Sequence, residues 1–210
     1  VEAMQRSIDE AAELGCQRLA FLTGPDPGDA RRAEALDLLA DSVTTLCRFG
    51  RERGIGLTLE TFDRDVDKKS LVGPSDMAAE FAARIRADFP DFGLLYDLSH
   101  LPLLRESVRE ALTTLKDYIV HIHVGNAVVT AGLPGYGDLH PRFGYPGGSN
   151  DVPELVEFLK GLFEIGYLKH GADPRPWVGF EVKPQPGEDG ALIMANTKRA
   201  WQHAWAQLEV

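Results

Sequence analysis

The chain has 210 residues, 44% of them hydrophobic and 26% charged, with a formal net charge of −10 at pH 7. That length suits one domain, residues 1–210, with a substantial buried core. The acidic balance argues against a nucleic-acid backbone or an anionic membrane as the main partner, while a local site can still hold a small anionic substrate. No apolar run approaches the roughly 20 residues of a membrane span. Residues 1–6 are polar rather than signal-like, so a cytoplasmic location is expected.

Residues 7–14 predict a helix, with Ile8, Ala11, Ala12 and Leu14 on the apolar face and Gly15 as its stop. A strand over residues 18–22 closes in the turn-rich Thr23-Gly24-Pro25-Asp26-Pro27-Gly28, and a long helix follows over residues 29–53, ended by Gly54. Cys16 and Cys47 both fall in or beside these helices. They are too few and too far apart for a disulfide scaffold or a zinc ribbon, and are expected as small buried hydrophobes.

The next strand ends at Glu60 and leads into a polar loop over residues 63–73. Pro74-Ser75-Asp76 looks like the entry to a helix over residues 77–87, and Pro90 breaks the chain before a strand ending at Asp97. A helix over residues 103–116 precedes the strand that ends at His123. Residues 125–150 are rich in Gly and Pro and lack periodicity. A loop of that length inside a domain is a lid, a binding loop or disordered. A helix over residues 153–165, a strand over 178–182 and a helix over 193–208 complete five strands and six helices. Their alternation predicts a parallel α/β sheet.

Four of these strands end on residues of metal-ligand type: Leu57-Thr58-Leu59-Glu60, Leu94-Leu95-Tyr96-Asp97, Ile119-Val120-His121-Ile122-His123 and Trp177-Val178-Gly179-Phe180-Glu181. Parallel α/β folds bind ligands at the carboxyl ends of their strands. A carboxylate there is costly unless it is paired or bound to a cation. Any one of the acids could be a salt-bridged strand end, but four consecutive strands finishing this way point to one shared divalent-metal site. Oxygen-rich ligation with one imidazole suits Mn²⁺, Mg²⁺ or Co²⁺, with Zn²⁺ also compatible.

The order Leu59-Glu60, Asp97-Leu98-Ser99-His100, His121-Ile122-His123 and Phe180-Glu181 resembles the sugar phosphate isomerase/epimerase superfamily with its xylose-isomerase-like TIM barrel. That group includes ketose 3-epimerases, inosose dehydratases, hydroxypyruvate isomerases and endonuclease IV. The resemblance covers nearly the whole chain. It implies that these strands are the fifth to eighth of a (β/α) barrel, that residues 18–22 form the fourth, and that the first three are absent from this sequence. A closed barrel typically needs about 250 residues.

The resemblance also implies that Glu60, Asp97, His123 and Glu181 bind one divalent metal, that the two glutamates double as the proton-transfer pair, and that His100 faces a sugar or polyol substrate. The stretch Val124-Gly125-Asn126-Ala127-Val128 departs from the family, which carries an acidic residue or an asparagine-arginine pair there. Arg142, from the long loop, could replace the missing arginine or be a solvated loop residue. Lys183, two residues past Glu181, is expected on the same face by strand alternation, either on an anionic substrate group or paired with a carboxylate. His121 shares the face of His123 as a supporting or core residue. His140, alone in its loop, is weak evidence for a second metal, and His170 and His203 read as surface residues.

The implied reaction is proton transfer beside a carbonyl. The alternatives are a sugar or inosose dehydratase on the same metal, and a degenerate barrel that binds a sugar without catalysis. The six histidines and the acidic surface argue against endonuclease-type chemistry. The first strand would leave an open sheet edge that a partner, such as a second copy, could cover.

Overall fold

The computed structural model describes residues 1–209. Five strands form one parallel sheet in chain order, β1 (Arg18–Phe21), β2 (Gly56–Glu60), β3 (Gly93–Asp97), β4 (Ile119–Val124) and β5 (Val178–Phe180). Every crossover from one strand to the next contains at least one helix. The sheet curls into part of a barrel, and its two edges, β1 and β5, each pair on one side only.

The helices are α1 (Glu2–Glu13), α2 (Asp29–Arg51), α3 (Ser75–Arg86), α4 (His100–Leu104), α5 (Val108–Leu115), α6 (Val152–Glu164) and α7 (Gly190–Trp205). They pack their apolar faces on the outside of the sheet. Leu94 and Tyr96 of β3, Phe81 and Ile85 of α3, and Leu112 and Leu115 of α5 belong to one continuous core. β3 is buried along its whole length, as a central parallel strand covered on both faces must be.

The helix predicted over residues 103–116 is two helices. Arg105 adopts a left-handed conformation (φ 60°) that ends α4, and its guanidinium grips Asp65 across the surface. Ser107 then caps α5, accepting the Glu110 N–H. β5 stops at Phe180, before the predicted end at residue 182, and α7 begins at Gly190, three residues early, on the Asp189 cap. Cys47 is buried as expected, whereas Cys16 is exposed beyond the end of α1.

Residues 125–150 form a built loop. Its two ends are clasped by asparagines: Asn126 Oδ1 accepts the Asn150 N–H at 2.7 Å, and Asn150 Nδ2 donates to the carbonyls of Leu98 (3.1 Å) and Gly125 (3.0 Å). Both side chains are buried, where backbone polar groups need partners that sheet and helix do not supply. Among the described residues no helix is long and apolar enough to cross a membrane.

Candidate metal centre

Parallel register carries the strand ends into one row. Asp97 stands opposite His123 across β3 and β4, and Phe180 pairs with Val124, so Glu181 follows directly beyond β5 with its N–H on the Val124 carbonyl at 3.0 Å. Glu60 is the last residue of β2. Glu60, Asp97, His123 and Glu181 each offer one ligand atom, and these atoms all lie within 4.8 Å of one another. Burial is graded across the group. The Asp97 side chain is 0% exposed, Glu60 13%, His123 24% and Glu181 38%, so the centre opens on the Glu181 side.

His123 Nδ1 donates to Glu181 Oε2 at 2.6 Å and lies 3.7 Å from Glu60 Oε1. Burial opposes the charge on this imidazole, but the two glutamates outweigh it and push its pKa up to about 10. The same hydrogen bond holds Glu181 below the ordinary carboxylate range, against the effect of burial. Asp97 is raised by burial, with His100 and His140 opposing the shift. Gly179 makes room for this ring, since a Cβ there would fall 2.9 Å from His123 Cδ2. His121 shares the face, its ring 5.0 Å from that of His123, and burial lowers its pKa.

Two carboxylate oxygens of the group, Glu60 Oε1 and Asp97 Oδ2, are buried without a hydrogen-bond partner. Buried carboxylate oxygens are costly in that state, and a cation among them removes the cost. Three carboxylates and one imidazole make a donor set that suits a divalent metal.

A second group adjoins the first through Asp97. His100 is fully buried; its Nδ1 lies 2.7 Å from the Thr61 carbonyl and its Nε2 3.2 Å from Asp138 Oδ1. Both partners are acceptors, so both ring nitrogens carry protons. Burial resists this charge, yet Asp138 and Asp97 push the pKa to about 9. Asp138 Oδ1 also takes His140 Nε2 at 2.8 Å, while its Oδ2 meets Lys68 Nζ at 3.2 Å. Burial would raise Asp138, but the hydrogen bonds from His100 and His140 hold it far below the ordinary range.

The loop after β2 holds this arrangement from the other side. The buried Asp63 carboxylate accepts the N–H groups of Val66, Asp67 and Lys68 at 2.7, 2.7 and 2.8 Å, and Asp67 Oδ2 in turn accepts the Asp138 N–H at 3.0 Å.

Of the residues expected to bind substrate, His100 and Arg142 have their polar atoms engaged by other groups of the chain. His100 has both nitrogens committed. Arg142 donates to Glu188 Oε1 at 2.9 Å and to the Gly144 carbonyl at 3.0 Å. Lys183 is exposed, but β5 ends at Phe180, so alternation no longer fixes its side; its N–H turns to the His140 carbonyl at 2.7 Å. Asp138, Asp63 and Lys68 escape the sequence reading. The one local signal is Asp138-Leu139-His140, two ligand-type residues at i and i+2 inside the long loop.

The sequence matches the family described as "Xylose isomerase-like TIM barrel" over residues 1–197. Comparison with the curated proteins gives no match. Among solved structures, a D-tagatose 3-epimerase-like protein is 19% identical with a TM-score of 0.69, covering 98% of this chain and 68% of its own. A D-psicose 3-epimerase from Clostridium cellulolyticum H10, determined with D-tagatose, is 16% identical with a TM-score of 0.68, over 98% of this chain and 69% of that one. The IolI protein, determined with a zinc atom, is 15% identical with a TM-score of 0.74, over 100% of this chain and 70% of that one. At these identities the likeness is one of fold.

Proposed function

Since the chain belongs to the xylose isomerase-like TIM barrel family, we propose that it is a divalent-metal-dependent sugar isomerase or epimerase, acting by proton transfer beside a carbonyl of a sugar or polyol derivative. The observation that carries this reading is the pair of buried, unpartnered oxygens on Glu60 and Asp97 inside a group completed by His123 and Glu181. The structural neighbours named as ketose 3-epimerases, and the zinc in the IolI protein, support it.

Glu60, Asp97, His123 and Glu181 would hold the ion, with Mn²⁺, Mg²⁺, Co²⁺ and Zn²⁺ as the candidates. A bound divalent cation polarises a carbonyl and its neighbouring hydroxyl, which acidifies the hydrogen on the carbon between them. The two glutamates serve as the proton-transfer pair. One carboxylate accepts the proton from carbon and the other returns one. Return to the same carbon from the other side inverts it, and return to the neighbouring carbon moves the carbonyl. Glu181, the most exposed of the four, is the residue a substrate meets first. Lys183 is the exposed cation closest in sequence to it and suits an anionic substituent. His100 and Arg142 join substrate binding only by giving up their present partners.

The test is hydrogen exchange. With Mn²⁺ in deuterated water, the protein is expected to place deuterium beside the carbonyl of at least one member of a ketose panel, and Glu181→Gln should abolish the exchange while keeping the fold. Exchange at the wild-type rate in Glu181→Gln would sink the assignment. A deoxy or unsaturated carbonyl product would replace isomerisation with dehydration. Tight Mn²⁺ and sugar binding without exchange would identify a binding barrel.

A further inference from the structure

His140 stands between the two groups at a distance that matters. Its Nε2 is 3.7 Å from Glu181 Oε1 and its Nδ1 is 3.8 Å from Asp97 Oδ2, both just beyond hydrogen-bonding reach. An imidazole beside two carboxylates in a buried site would ordinarily close on one of them, because a charge-assisted hydrogen bond is stronger than an open gap. Here it does not, and Asp97 Oδ2 is left buried without any partner.

Asp138 holds it back. The Asp138 carboxylate takes the His140 Nε2–H at 2.8 Å, 0.9 Å closer than Glu181 Oε1 (3.7 less 2.8). Ser99 Oγ steadies the other ring nitrogen at 3.3 Å. The backbone supports the same placement at a conformational cost, since His140 has φ 46°, a region non-glycine residues seldom occupy. Its carbonyl is pinned by the Lys183 N–H at 2.7 Å. Gly125 clears the space, because a Cβ there would lie 3.2 Å from His140 Nδ1 and 2.5 Å from the Glu181 carbonyl oxygen. Asp138 is itself fixed by the Asp67 carboxylate, by Lys68 and by His100.

We propose that Asp138 is a positioning residue of this centre: by anchoring His140 it keeps one oxygen of Asp97 and one of Glu181 free for a divalent cation. This rests on the reading of Glu60, Asp97, His123 and Glu181 as a metal centre. Asp97, His100 and His140 also bring ligand atoms within 4.8 Å of one another. Both nitrogens of His100 face acceptors, however, and Lys68 already brings a positive charge to the outer oxygen of Asp138, so Asp138 is taken as an anchor and one ion per chain is expected.

Mn²⁺ binding, measured by calorimetry on the full chain, separates the possibilities without reference to turnover. Asp138→Ala releases His140 onto the carboxylates and is expected to weaken Mn²⁺ binding by about 10–100-fold, the range that loss of an outer-sphere partner produces. Removing the imidazole as well, in Asp138→Ala/His140→Ala, should restore affinity to within about threefold of wild type, a non-additive pair that simple structural damage would not give. His140→Ala alone should bind at least as tightly as wild type, with one ion per chain. Unchanged affinity in Asp138→Ala, or no recovery in the double variant, overturns the proposal. If Asp138→Ala does not fold, His140→Ala decides: weaker binding in that variant overturns it, as does a stoichiometry of two Mn²⁺ per wild-type chain. Wild-type protein that binds neither Mn²⁺, Co²⁺ nor Zn²⁺ removes the metal centre itself, whereas the other failures leave that centre standing.

Discussion

Tyr96 and Asp97 are neighbours on β3, both 0% exposed, and they face opposite sides of the sheet. On the helix side, Tyr96 donates its hydroxyl to Glu106 Oε2 at 3.1 Å. Glu106 also accepts the Ser75 N–H at 2.8 Å and the Ser75 hydroxyl at 2.5 Å. On the inner side, Asp97 uses Oδ1 for the Ser99 N–H at 2.7 Å and leaves Oδ2 with nothing. One network closes on itself, and it ties α3 and the segment after α4 to the strand. The other stays open at the carboxyl end of the sheet. A buried polar group with all its bonds made stabilises a fold, whereas a buried carboxylate oxygen left unpartnered beside other ligand-type side chains fits a cation.

The comparison breaks most readily at Asp97. Asp97→Asn keeps an acceptor for Ser99 but removes the buried charge. We expect Mn²⁺ binding to weaken by more than about 100-fold, beyond what losing an outer partner costs. The melting temperature should hold or rise, because burial of the Asp97 charge outweighs its attraction to His100 and His140 in the apo fold. A clear loss of thermal stability in the metal-free variant would mean that Asp97 serves the fold in the way Glu106 does.

Glu106 should behave in the opposite sense. Glu106→Ala leaves the Ser75 N–H at the start of α3 and the Tyr96 hydroxyl without partners, and is expected to cost about 3 kcal/mol of stability. Mn²⁺ affinity of the folded fraction should be unaltered. Urea unfolding together with calorimetry checks both halves.

The same division explains what the sequence discloses. Glu60, Asp97 and His123 are legible because each ends an apolar run, and strand ends in a parallel sheet converge whatever the loops do. Helices such as α2 and α6 are legible through their apolar stripes. The break between α4 and α5 is encoded by Ser107 and Glu110, a capping pair hidden inside an otherwise continuous apolar pattern. Asp138 is of another kind. It lies in an aperiodic loop, and its role comes from Lys68, His100 and His140, whose placement only the folded chain defines. Arg142 shows the converse, since composition offers a free cation and the fold spends it on Glu188.

The smallest effect, and the finest test of the closed network, lies at Tyr96. Tyr96→Phe removes one hydrogen bond and should cost about 1 kcal/mol at neutral pH. Its pH dependence is more telling. Burial, reinforced by the nearby Glu106 charge, raises the Tyr96 pKa well above its ordinary value of 10.0. The native state therefore keeps a proton that the unfolded chain releases near pH 10. The stability associated with that proton is fully present below pH 10 and declines as the pH rises toward the native pKa. The wild type should thus lose stability faster than Tyr96→Phe above pH 10, so that the gap between the two unfolding free energies narrows and then reverses. Parallel curves through that range would show that the hydroxyl is not held in the closed network that sets it apart from the carboxylate beside it.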